Sequence, residues 1–289
     1  MTNGQKLREI LATPGILVLP GVYDCISTKL CEKAGFKVAF TSGFGISAAM
    51  LGKPDFGFLN GTEMLWSVSR IIDSVNIPVV VDIDTGYGNP LNVMRTVEEV
   101  VKIGGAGIIL EDQEWPKKCG HFDGKQVISM EEHINKIKAA VEARGDSELV
   151  IIGRTDARAS HGIDEAIKRG KAYYEAGADI VFIEAPQSIE ELKQIAASFD
   201  KDVPLFANMV EGGKTPFLSS KELEKLGYKI VVYPLAGLFS ATKAIQNCFA
   251  YLKEHGTSLG IEEILNFGDF EKVIDTANYR ELEAKFKAD

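Results

Sequence analysis

Long apolar runs are missing from this sequence, and none approaches the roughly 18 residues that a membrane-spanning helix requires. The opening stretch, MTNGQKLREILATPG, lacks the apolar core and the small-residue cleavage site of a signal peptide. Cysteine is scarce, and Cys25, Cys31, Cys119 and Cys248 form no CxxC pair and no zinc-type spacing. We therefore expect a cytoplasmic protein with free thiols, without disulfides and without a membrane as partner.

Positive net charge is also missing. Lysine and arginine number 32 against 41 acidic residues, which gives a formal charge of −9 and an isoelectric point near 5.2. This balance argues against nucleic acid as a partner, but it allows a small anionic substrate in a locally basic pocket. No linker or low-complexity segment divides the 289 residues, so we expect a single domain over 1–289.

Short runs of Val, Ile, Leu and Phe recur along the chain and alternate with segments of helical period. The eight runs are ILVLP (16–20), VAFTS (38–42), PVVVDID (78–84), AGIILED (106–112), LVIIGRTDA (149–157), ADIVFIEA (178–185), PLFANM (204–209) and KIVVYPL (229–235). Near-continuous apolar runs of this kind are typical of parallel strands that helices cover. Eight strand–helix units predict a single (β/α)8 barrel of the TIM type, with its active site at the carboxyl ends of the strands.

Capping residues mark several helix boundaries. The segment EEHINKIKAAVEARG fits a helix that Gly145 ends. Asp164 and Ser188 stand where two further helices begin, and their side chains could accept hydrogen bonds from backbone N–H groups. The tail, from about 255 to 289, has helical character but no further strand, so we expect it to pack outside the barrel or against a neighbouring subunit.

Acidic residues end two neighbouring runs. Asp82 and Asp84 close the third run, and Glu111 comes near the end of the fourth. Residues two apart on a strand point to the same face, so these carboxylates would converge on one rim of the barrel. A hard cation would relieve their repulsion, and Mg2+ or Mn2+ suits all-oxygen ligands. The alternative is a set of solvated acids paired with lysines.

Two further features could bind an anion. Arg154, in the fifth run, could hold a substrate carboxylate through its forked guanidinium, or it could pair with a rim acid such as Glu184. The SGFG segment (42–45) could hold an anion on backbone N–H groups, or it could be a simple turn. GFGISA also matches a dinucleotide fingerprint, which we reject because the match is weak and eight strands fit a barrel better.

The segment KKCGH places Cys119 in a lysine-flanked loop, where nearby cations would favour the thiolate. Either this thiol is reactive, or the segment is an ordinary surface loop with an inert cysteine. His121 could serve as an acid, a base or a loop contact. Asn208 and the EGGKTP segment after it indicate an exposed functional loop shaped by Gly212 and Gly213, or a plain turn.

Taken together, KKCGH, the DID pair, LEDQ, GRTDA and NMVEGGKTP resemble the isocitrate lyase and phosphoenolpyruvate mutase superfamily in their identity and order. The resemblance covers essentially the whole chain, and KKCGH with the upstream acids is its most specific part. It implies a (β/α)8 barrel and a homotetramer in which the last helix is swapped between paired subunits. It also implies chemistry next to a 2-oxo acid with Mg2+, or Mn2+, as the cofactor.

The resemblance implies roles for individual residues. The residues that would hold the metal, directly or through water, are Asp82, Asp84, Glu111 and Asp55. The residues that would bind or line the substrate are Ser42, Gly43, Phe44, Arg154, Glu184, Asn208, Gly120 and Pro234. The residues that would act in catalysis are Lys117, Cys119, His121 and Arg154, the first three on a loop that closes over the substrate.

The same resemblance points to carbon–carbon lyase chemistry, because phosphonate-cleaving members generally lack the cysteine motif. In such a lyase a 2-hydroxy dicarboxylate loses its hydroxyl proton and undergoes retro-aldol cleavage. The products are a 2-oxo acid and a carboxylate-stabilised carbanion. Cys119 would then protonate the carbanion as a general acid.

The substrate that the pattern favours is 2,3-dimethylmalate, cleaved to propionate and pyruvate. Members that cleave 2-methylisocitrate commonly carry EFG in place of Glu211-Gly212-Gly213 and a histidine in place of Ile109, and the less polar, roomier positions here suit a smaller dicarboxylate. 2-Methylisocitrate, giving succinate and pyruvate, is the alternative. Pro234 argues against oxaloacetate hydrolysis, because a serine is expected in this region. That activity, phosphonopyruvate hydrolysis and a catalytically inactive binding protein are weaker alternatives.

Overall fold

The structure, a computed structural model, describes residues 1–287; residues 288 and 289, the end of the predicted tail, lie outside the described residues. Eight strands form the centre of the molecule: β1 Leu17–Val22, β2 Ala39–Thr41, β3 Val79–Asp82, β4 Gly107–Glu111, β5 Val150–Thr155, β6 Ile180–Ile183, β7 Leu205–Asn208 and β8 Ile230–Tyr233. The helices before and between them are α1 Asn3–Ala12, α2 Cys25–Lys33, α3 Gly43–Leu51, α4 Gly61–Asp73, α5 Pro90–Lys102, α6 Met130–Arg144, α7 Arg158–His161, α8 Ile163–Glu175, α9 Ile189–Ala197 and α10 Ser220–Leu226. The helices after β8 are α11 Ala236–His255, α12 Phe267–Val273 and α13 Thr276–Lys285.

The strands form a closed parallel barrel in chain order. Each strand pairs with the next, and β1 closes the barrel on β8 through a register that sets Leu17 opposite Ile230. The eight apolar runs predicted these eight strands, and the (β/α)8 fold is confirmed. Because all strands run in one direction, the polar residues at their carboxyl ends meet at one rim.

The barrel interior is filled by alternate residues of the strands, as the period of two requires. Phe40, Val80, Ile109, Phe182 and Phe206 belong to this interior cluster, and all are buried. The other face of each strand packs against the surrounding helices, which is why the runs are apolar without interruption. Burial of one large side chain such as Phe206 stabilises the fold by roughly 1.5–3 kcal/mol.

Two of the three helix boundaries predicted from capping residues are correct. Gly145 follows the last residue of α6 with a φ of 47°, and the Ser188 hydroxyl accepts a hydrogen bond from the Glu191 N–H at 3.0 Å. The prediction for Asp164 is wrong, because α8 begins one residue earlier, after Gly162. The Asp164 carboxylate accepts a hydrogen bond from the Gln194 side chain at 2.8 Å instead.

The tail is helical, as predicted, and α12 packs against α2 outside the barrel. Asp275, between α12 and α13, accepts hydrogen bonds from Lys29 at 2.8 Å and Lys33 at 2.9 Å. The longest helix, α11, contacts β1 but buries none of its residues within the chain. Among the helices of residues 1–287, none combines the length and apolar character needed to cross a bilayer.

Candidate active site

One cavity opens at the carboxyl ends of the strands and gathers most of the predicted site residues. The predicted residues that line it are Ser42, Phe44, Asp55, Asp82, Lys117, Cys119, Gly120, His121, Arg154, Glu184, Asn208 and Pro234. Its apolar lining consists of Phe40, Ile109, Phe182, Phe206, Val210, Val232 and Leu235. The remaining predicted residues, Gly43, Asp84 and Glu111, are buried and pair with residues of the lining.

Four buried carboxylates lie on the side of the cavity formed by β3 and β4. Asp82 accepts hydrogen bonds from the backbone N–H groups of Gly43 and Asp84, both at 3.1 Å. The Lys117 ammonium lies 2.8 Å from an Asp55 oxygen and 2.6 Å from Oδ1 of Asp84. The second of these contacts lacks the alignment of a hydrogen bond, so it is an ion pair only.

The expected reason for the convergence of Asp82 and Asp84 is partly wrong. The strand β3 ends at Asp82, and Asp84 follows in a left-handed conformation with a φ of 50°. Strand alternation therefore does not orient Asp84. Its carboxylate reaches the site because the chain turns back after Asp82 and pairs with Lys117.

The raised pKa values of the buried acids indicate a site that a bound cation would stabilise. Burial and, to a smaller extent, the neighbouring Asp84 raise the pKa of Asp82 to about 6. Burial also raises the pKa of Glu111 well above its ordinary range. Oε1 of Glu111 is buried without a hydrogen-bond donor. A hard divalent cation would compensate both the crowding of negative charge and this unpaired oxygen.

The acids do not form a complete set of direct ligands. Within residues 1–287, no three side chains of Asp, Glu, His or Cys are arranged to hold one metal ion. The donors are nevertheless all oxygens, and Mg2+ usually keeps several waters in its octahedral shell. The residues present therefore fit Mg2+ bound partly through water.

Arg154 lies among three buried carboxylates. Its guanidinium forks onto Asp156, with Nε at 2.8 Å and Nη2 at 3.1 Å, and pairs with Glu111 at 3.1 Å and Glu184 at 3.4 Å. The predicted pairing with Glu184 is thus present. Because a guanidinium has five donors, this pairing does not exclude contact with a substrate carboxylate. These acids raise the pKa of Arg154, despite its burial, so the group is always charged.

Residues 42–45 form the beginning of α3. The Ser42 hydroxyl caps this helix by accepting a hydrogen bond from the Gly45 N–H at 3.1 Å. The Gly43 N–H, which could have bound a substrate anion, donates to Asp82. A Cβ on Gly43 would lie 2.8 Å from that carboxylate, so glycine is required here for the close approach.

The KKCGH segment lies on a loop that we define as residues 114–126. An antiparallel bridge between Gln113 and Val127 closes its base. The Gln113 side chain also donates to the Lys118 carbonyl at 2.8 Å and accepts from its N–H at 2.9 Å. The Cys119 N–H donates to the Asp55 carbonyl at 3.1 Å, which ties the loop to the side of the cavity that holds the four carboxylates.

The expectation that nearby cations make Cys119 a thiolate is wrong. Burial raises the pKa of Cys119 to about 11, and the carboxylates of Asp55 and Glu184 add to the effect. The adjacent Lys117 cannot reverse this, because its charge is already paired with two aspartates. At neutral pH the group is a thiol, which is the form that can donate a proton.

His121 faces the side of the cavity formed by the ends of β6 and β7. Its Nδ1 accepts a hydrogen bond from the Lys214 backbone N–H at 2.9 Å, which requires the proton to sit on Nε2. That Nε2 lies 3.4 Å from Glu184. Asn208 donates to both oxygens of Glu184, at 3.1 and 3.3 Å. Although burial raises the pKa of Glu184, Arg154 and His121 outweigh it and lower the pKa below its ordinary value.

The sequence assigned no role to a buried network behind Arg154. Asp112 accepts hydrogen bonds from the Asp156 N–H at 2.8 Å and from the Tyr173 hydroxyl at 2.7 Å. Asp156 in turn accepts from Lys125 at 2.7 Å. Asp112 and Asp156 each follow a residue assigned to a strand end by one or two positions, and this position could have predicted that they belong to the site. No feature of the sequence predicts the role of Lys125, because its partner is 31 residues away.

The chain is similar to known proteins over nearly its whole length. The family model for phosphoenolpyruvate phosphomutase matches residues 7–253. The chain is 45% identical to 2,3-dimethylmalate lyase of Eubacterium barkeri, covering 99% of both chains. It is 44% identical to the petal death protein of Dianthus caryophyllus, over 99% of this chain and 91% of the relative. It is 39% identical to 2-methylisocitrate lyase of Bacillus subtilis (strain 168), over 96% and 90%.

Solved structures give the same result. Oxaloacetate acetylhydrolase in complex with 3,3-difluorooxalacetate superposes with a TM-score of 0.94 at 34% identity, covering 100% of this chain and 99% of that one. A 2,3-dimethylmalate lyase superposes with a TM-score of 0.93 at 34% identity, over 99% and 95%. Phosphonopyruvate hydrolase in complex with oxalate and Mg2+ gives 0.89 at 30%, over 99% of both chains. With the barrel, the acid cluster and the thiol loop in place, these matches confirm the resemblance: the chain belongs to the phosphoenolpyruvate mutase and isocitrate lyase superfamily and is a carbon–carbon lyase.

Proposed function

We propose that the protein is a Mg2+-dependent lyase that cleaves 2,3-dimethylmalate into propionate and pyruvate. The observation that carries the proposal is the mixed lining of the cavity. It presents acids and Arg154 together with apolar side chains such as Ile109, Phe182 and Val232. A dicarboxylate that can chelate a metal ion and also carries methyl groups fits this lining.

The metal would be held by Asp82, Asp84 and Glu111, with Asp55 beside them through water. When bound, Mg2+ would make the substrate hydroxyl more acidic and stabilise the charge that develops on the 2-oxo acid product. The name of one solved relative includes Mg2+, which supports this choice. Mn2+ prefers similar oxygen ligands and is the alternative ion.

Arg154 would orient the carboxylate next to the reacting hydroxyl. Its fork onto Asp156 leaves the plane of the guanidinium fixed, so the remaining donors face the cavity in one orientation. Ser42 and Phe44 would bound the same end of the substrate, and Glu184 and Asn208 the other side of the pocket. Together they would exclude water from the bond that breaks.

Cys119 would supply the proton that completes the reaction. Once the substrate hydroxyl has lost its proton, retro-aldol cleavage turns that C–O bond into the C=O bond of pyruvate, breaks the adjacent C–C bond and leaves the electron pair on the carbon next to the carboxylate of the propionate half. A thiol with a raised pKa remains protonated until that carbanion forms, and it can then transfer its proton to it. The loop that carries Cys119 also covers the cavity, which keeps solvent protons out.

The two specificity positions differ in how well they support this substrate. Ile109 lines the cavity, so an alkyl side chain here meets the substrate directly. Gly212 does not line it, and a Cβ at Gly212 would meet no atom within 4 Å. The expected extra room at Gly212 is therefore not room for the substrate, and of the two positions Ile109 is the one that favours an alkyl-substituted dicarboxylate.

2-Methylisocitrate is the second candidate, favoured by the 39% identity to the enzyme from Bacillus subtilis. Its additional carboxylate would need a further cation in the cavity. The cations that line the cavity are Lys117, Lys118, Arg154 and, when protonated, His121. Lys117 is paired with two aspartates, and Arg154 is assigned to the carboxylate beside the hydroxyl. Lys118 and His121 therefore remain for the other carboxylates, which favours a dicarboxylate over a tricarboxylate. Pro234 lines the cavity and offers no hydroxyl, which disfavours oxaloacetate hydrolysis.

The test is product identification with purified protein and Mg2+. 2,3-Dimethylmalate and 2-methylisocitrate are offered in parallel, and the acid released beside pyruvate is resolved by chromatography. We expect propionate from dimethylmalate at the higher kcat/KM, and no turnover after chelation of the metal. Faster release of succinate from methylisocitrate would contradict the substrate assignment. If neither substrate is turned over, the result would favour the alternative of a catalytically inactive binding protein.

We further propose that the protein works in the cytoplasm as a homotetramer. The four cysteines are all free in the structure, which suits a reducing compartment. The apolar face of α11 that the chain leaves uncovered suits assembly with further copies.

A further inference from the structure

Lys125 is a buried lysine at the far end of the 114–126 loop, and no step of the proposed mechanism uses it. Its side chain is 1% exposed and its partner Asp156 is fully buried. Its ammonium lies 2.7 Å from Asp156 and also donates to the carbonyl of Gly120. A lysine this deep is costly to desolvate, so it persists only where its charge is paired.

The two partners of Lys125 belong to different parts of the site. Asp156 lies just past β5 and forks onto Arg154. Gly120 lies between Cys119 and His121 on the loop. A single ammonium group therefore connects the loop residues expected to act in catalysis with the arginine expected to bind the substrate.

The loop backbone at Gly120 rests directly on Arg154 and Glu184. A Cβ on Gly120 would lie 2.6 Å from the Glu184 carboxyl carbon and 2.7 Å from Nη2 of Arg154. Lys125 anchors the Gly120 carbonyl itself to the end of β5, while the neighbouring His121 lies 3.4 Å from Glu184. Elsewhere on the loop, Gln113 holds Lys118 at the base, and Lys117 reaches the aspartates.

Charge explains why an ammonium suits this position. Arg154 alone faces Glu111, Asp156 and Glu184. Lys125 neutralises Asp156, so Arg154 is left with more positive potential toward the cavity, where a substrate carboxylate would bind. Arg154 and Lys125 together hold the pKa of Asp156 low, although burial alone would raise it.

We infer that Lys125 is a positioning residue, which fixes Gly120 over Arg154 and so sets the place of Cys119 above the substrate. The inference rests on the proposed role of Cys119 for its catalytic meaning. The loop geometry it describes does not depend on which substrate is cleaved. It adds to the lyase site a residue that acts through the backbone of the loop and through Asp156.

The experiment compares the wild type with Lys125→Met and Lys125→Arg in the presence of Mg2+. Each cysteine is labelled with iodoacetamide, and the rate at each site is read by mass spectrometry of the peptides. Lys138→Met is the matched control, because Lys138 is exposed on α6. Cys31, buried in the helix-packing core, reports any general loosening of the fold.

We expect Cys119 in Lys125→Met to be labelled about tenfold faster, the effect of losing one charge-assisted hydrogen bond, while Cys31 is unchanged. Lys125→Arg restores slow labelling in part, and Lys138→Met behaves as the wild type. Unchanged labelling of Cys119 overturns the inference, and so does an equal rise at Cys31. If Lys125→Met does not fold, Lys125→Gln, which retains a donor without the charge, is read by the same criteria.

Kinetics give an independent reading. Once the substrate is established, kcat of Lys125→Met should fall about tenfold because Cys119 is displaced, and KM should rise to a smaller extent because Asp156, without Lys125, reduces the positive potential of Arg154. A rise in KM with unchanged kcat would overturn a role in placing Cys119. Since the labelling requires no turnover, a failure of the proposed substrate leaves the test of Lys125 intact.

Discussion

Cys119 illustrates how the surroundings of a residue decide its chemistry. The flanking lysines in the sequence predict a thiolate, yet the pKa of Cys119 is raised to about 11 by burial. Lys117 is paired with Asp55 and Asp84, so its charge is compensated by these carboxylates and does not stabilise a thiolate at Cys119. A protonated thiol suits an acid that donates only when the carbanion forms.

Replacing Cys119 by serine should lower kcat by about 10²- to 10⁴-fold, the usual contribution of a positioned general acid. Binding of substrate should persist, because the carboxylate contacts come from other residues. The measurements are pyruvate release and the Kd by calorimetry, with Cys25→Ser as the control. A near-normal kcat in Cys119→Ser would show that another group donates the proton.

Gly213 is a second single residue whose replacement should affect the site, because it contacts His121. A Cβ here would lie 2.6 Å from Nδ1 of His121, at the point where the Lys214 N–H donates to that nitrogen. Gly213→Ala should therefore displace the imidazole and lower kcat/KM by about 10- to 100-fold. Gly268→Ala, on the exposed α12, is the control, because its Cβ meets only ordinary contacts. Equal activity of both variants would mean that the position of His121 does not matter.

At the scale of an element, α6 carries a buried histidine that makes the fold sensitive to acid. His133 is fully buried beside Tyr173, with ring centroids 4.4 Å apart, and neither ring nitrogen has a hydrogen-bond partner. Burial, with smaller contributions from Lys136 and Arg169, lowers the pKa of His133 to about 3. The helix therefore packs correctly only with a neutral imidazole.

The unfolded chain binds this proton more readily than the folded one. Burial of the neutral His133 contributes fully to the free energy of unfolding above the unfolded pKa of about 6.5. This contribution is lost as the pH falls toward 3. By pH 5 the free energy of unfolding should decrease by about 2 kcal/mol from this residue alone. Urea denaturation at pH 7.5 and pH 5 measures the loss.

His133→Phe is the comparison, since a ring of similar size cannot be protonated. The difference between wild type and variant isolates His133 from the other titrating groups. We expect a smaller loss between the two pH values for the variant. Equal losses would show that the histidine finds a partner, such as a water, in solution.

Helix α11 has a different character from the helices that cover the strands. It has no buried residue, and Phe249 and Ile245 are 64% and 51% exposed. A groove between β1 and α2 beside it is lined by apolar residues, including Val22, Ile26 and Leu30. Exposed apolar surface on both the helix and the barrel is consistent with a helix that covers a second copy.

At the scale of the whole molecule, the resemblance implies a swap of the last helix, which among the described residues is α13. Because α11, the helix after the last strand, carries the exposed apolar residues just described, we propose that α11 is the helix swapped between paired subunits in a tetramer. Light scattering should give four times the 31.5 kDa of one chain. Phe249→Asp should reduce this mass and expose the apolar grooves, because a charge is costly to bury in such an interface. Lys138→Met should leave it unchanged. A monomeric wild type would contradict the swap.

The sequence by itself determined the barrel, its active rim and most of the side chains that line the cavity. The barrel and its rim depend on local patterns: each strand is an apolar run, and a polar residue at its end must lie on the common rim. The resemblance, rather than a local pattern, assigned residues such as Asp55, Lys117 and Pro234 to the cavity. The tertiary structure decided the rest. The thiol state of Cys119, the turn that presents Asp84, the α8 boundary and the bond from Lys125 to Asp156 all depend on burial and on partners distant in the chain. Lys117 meets Asp55 across 62 residues, and no pattern within either segment specifies that contact.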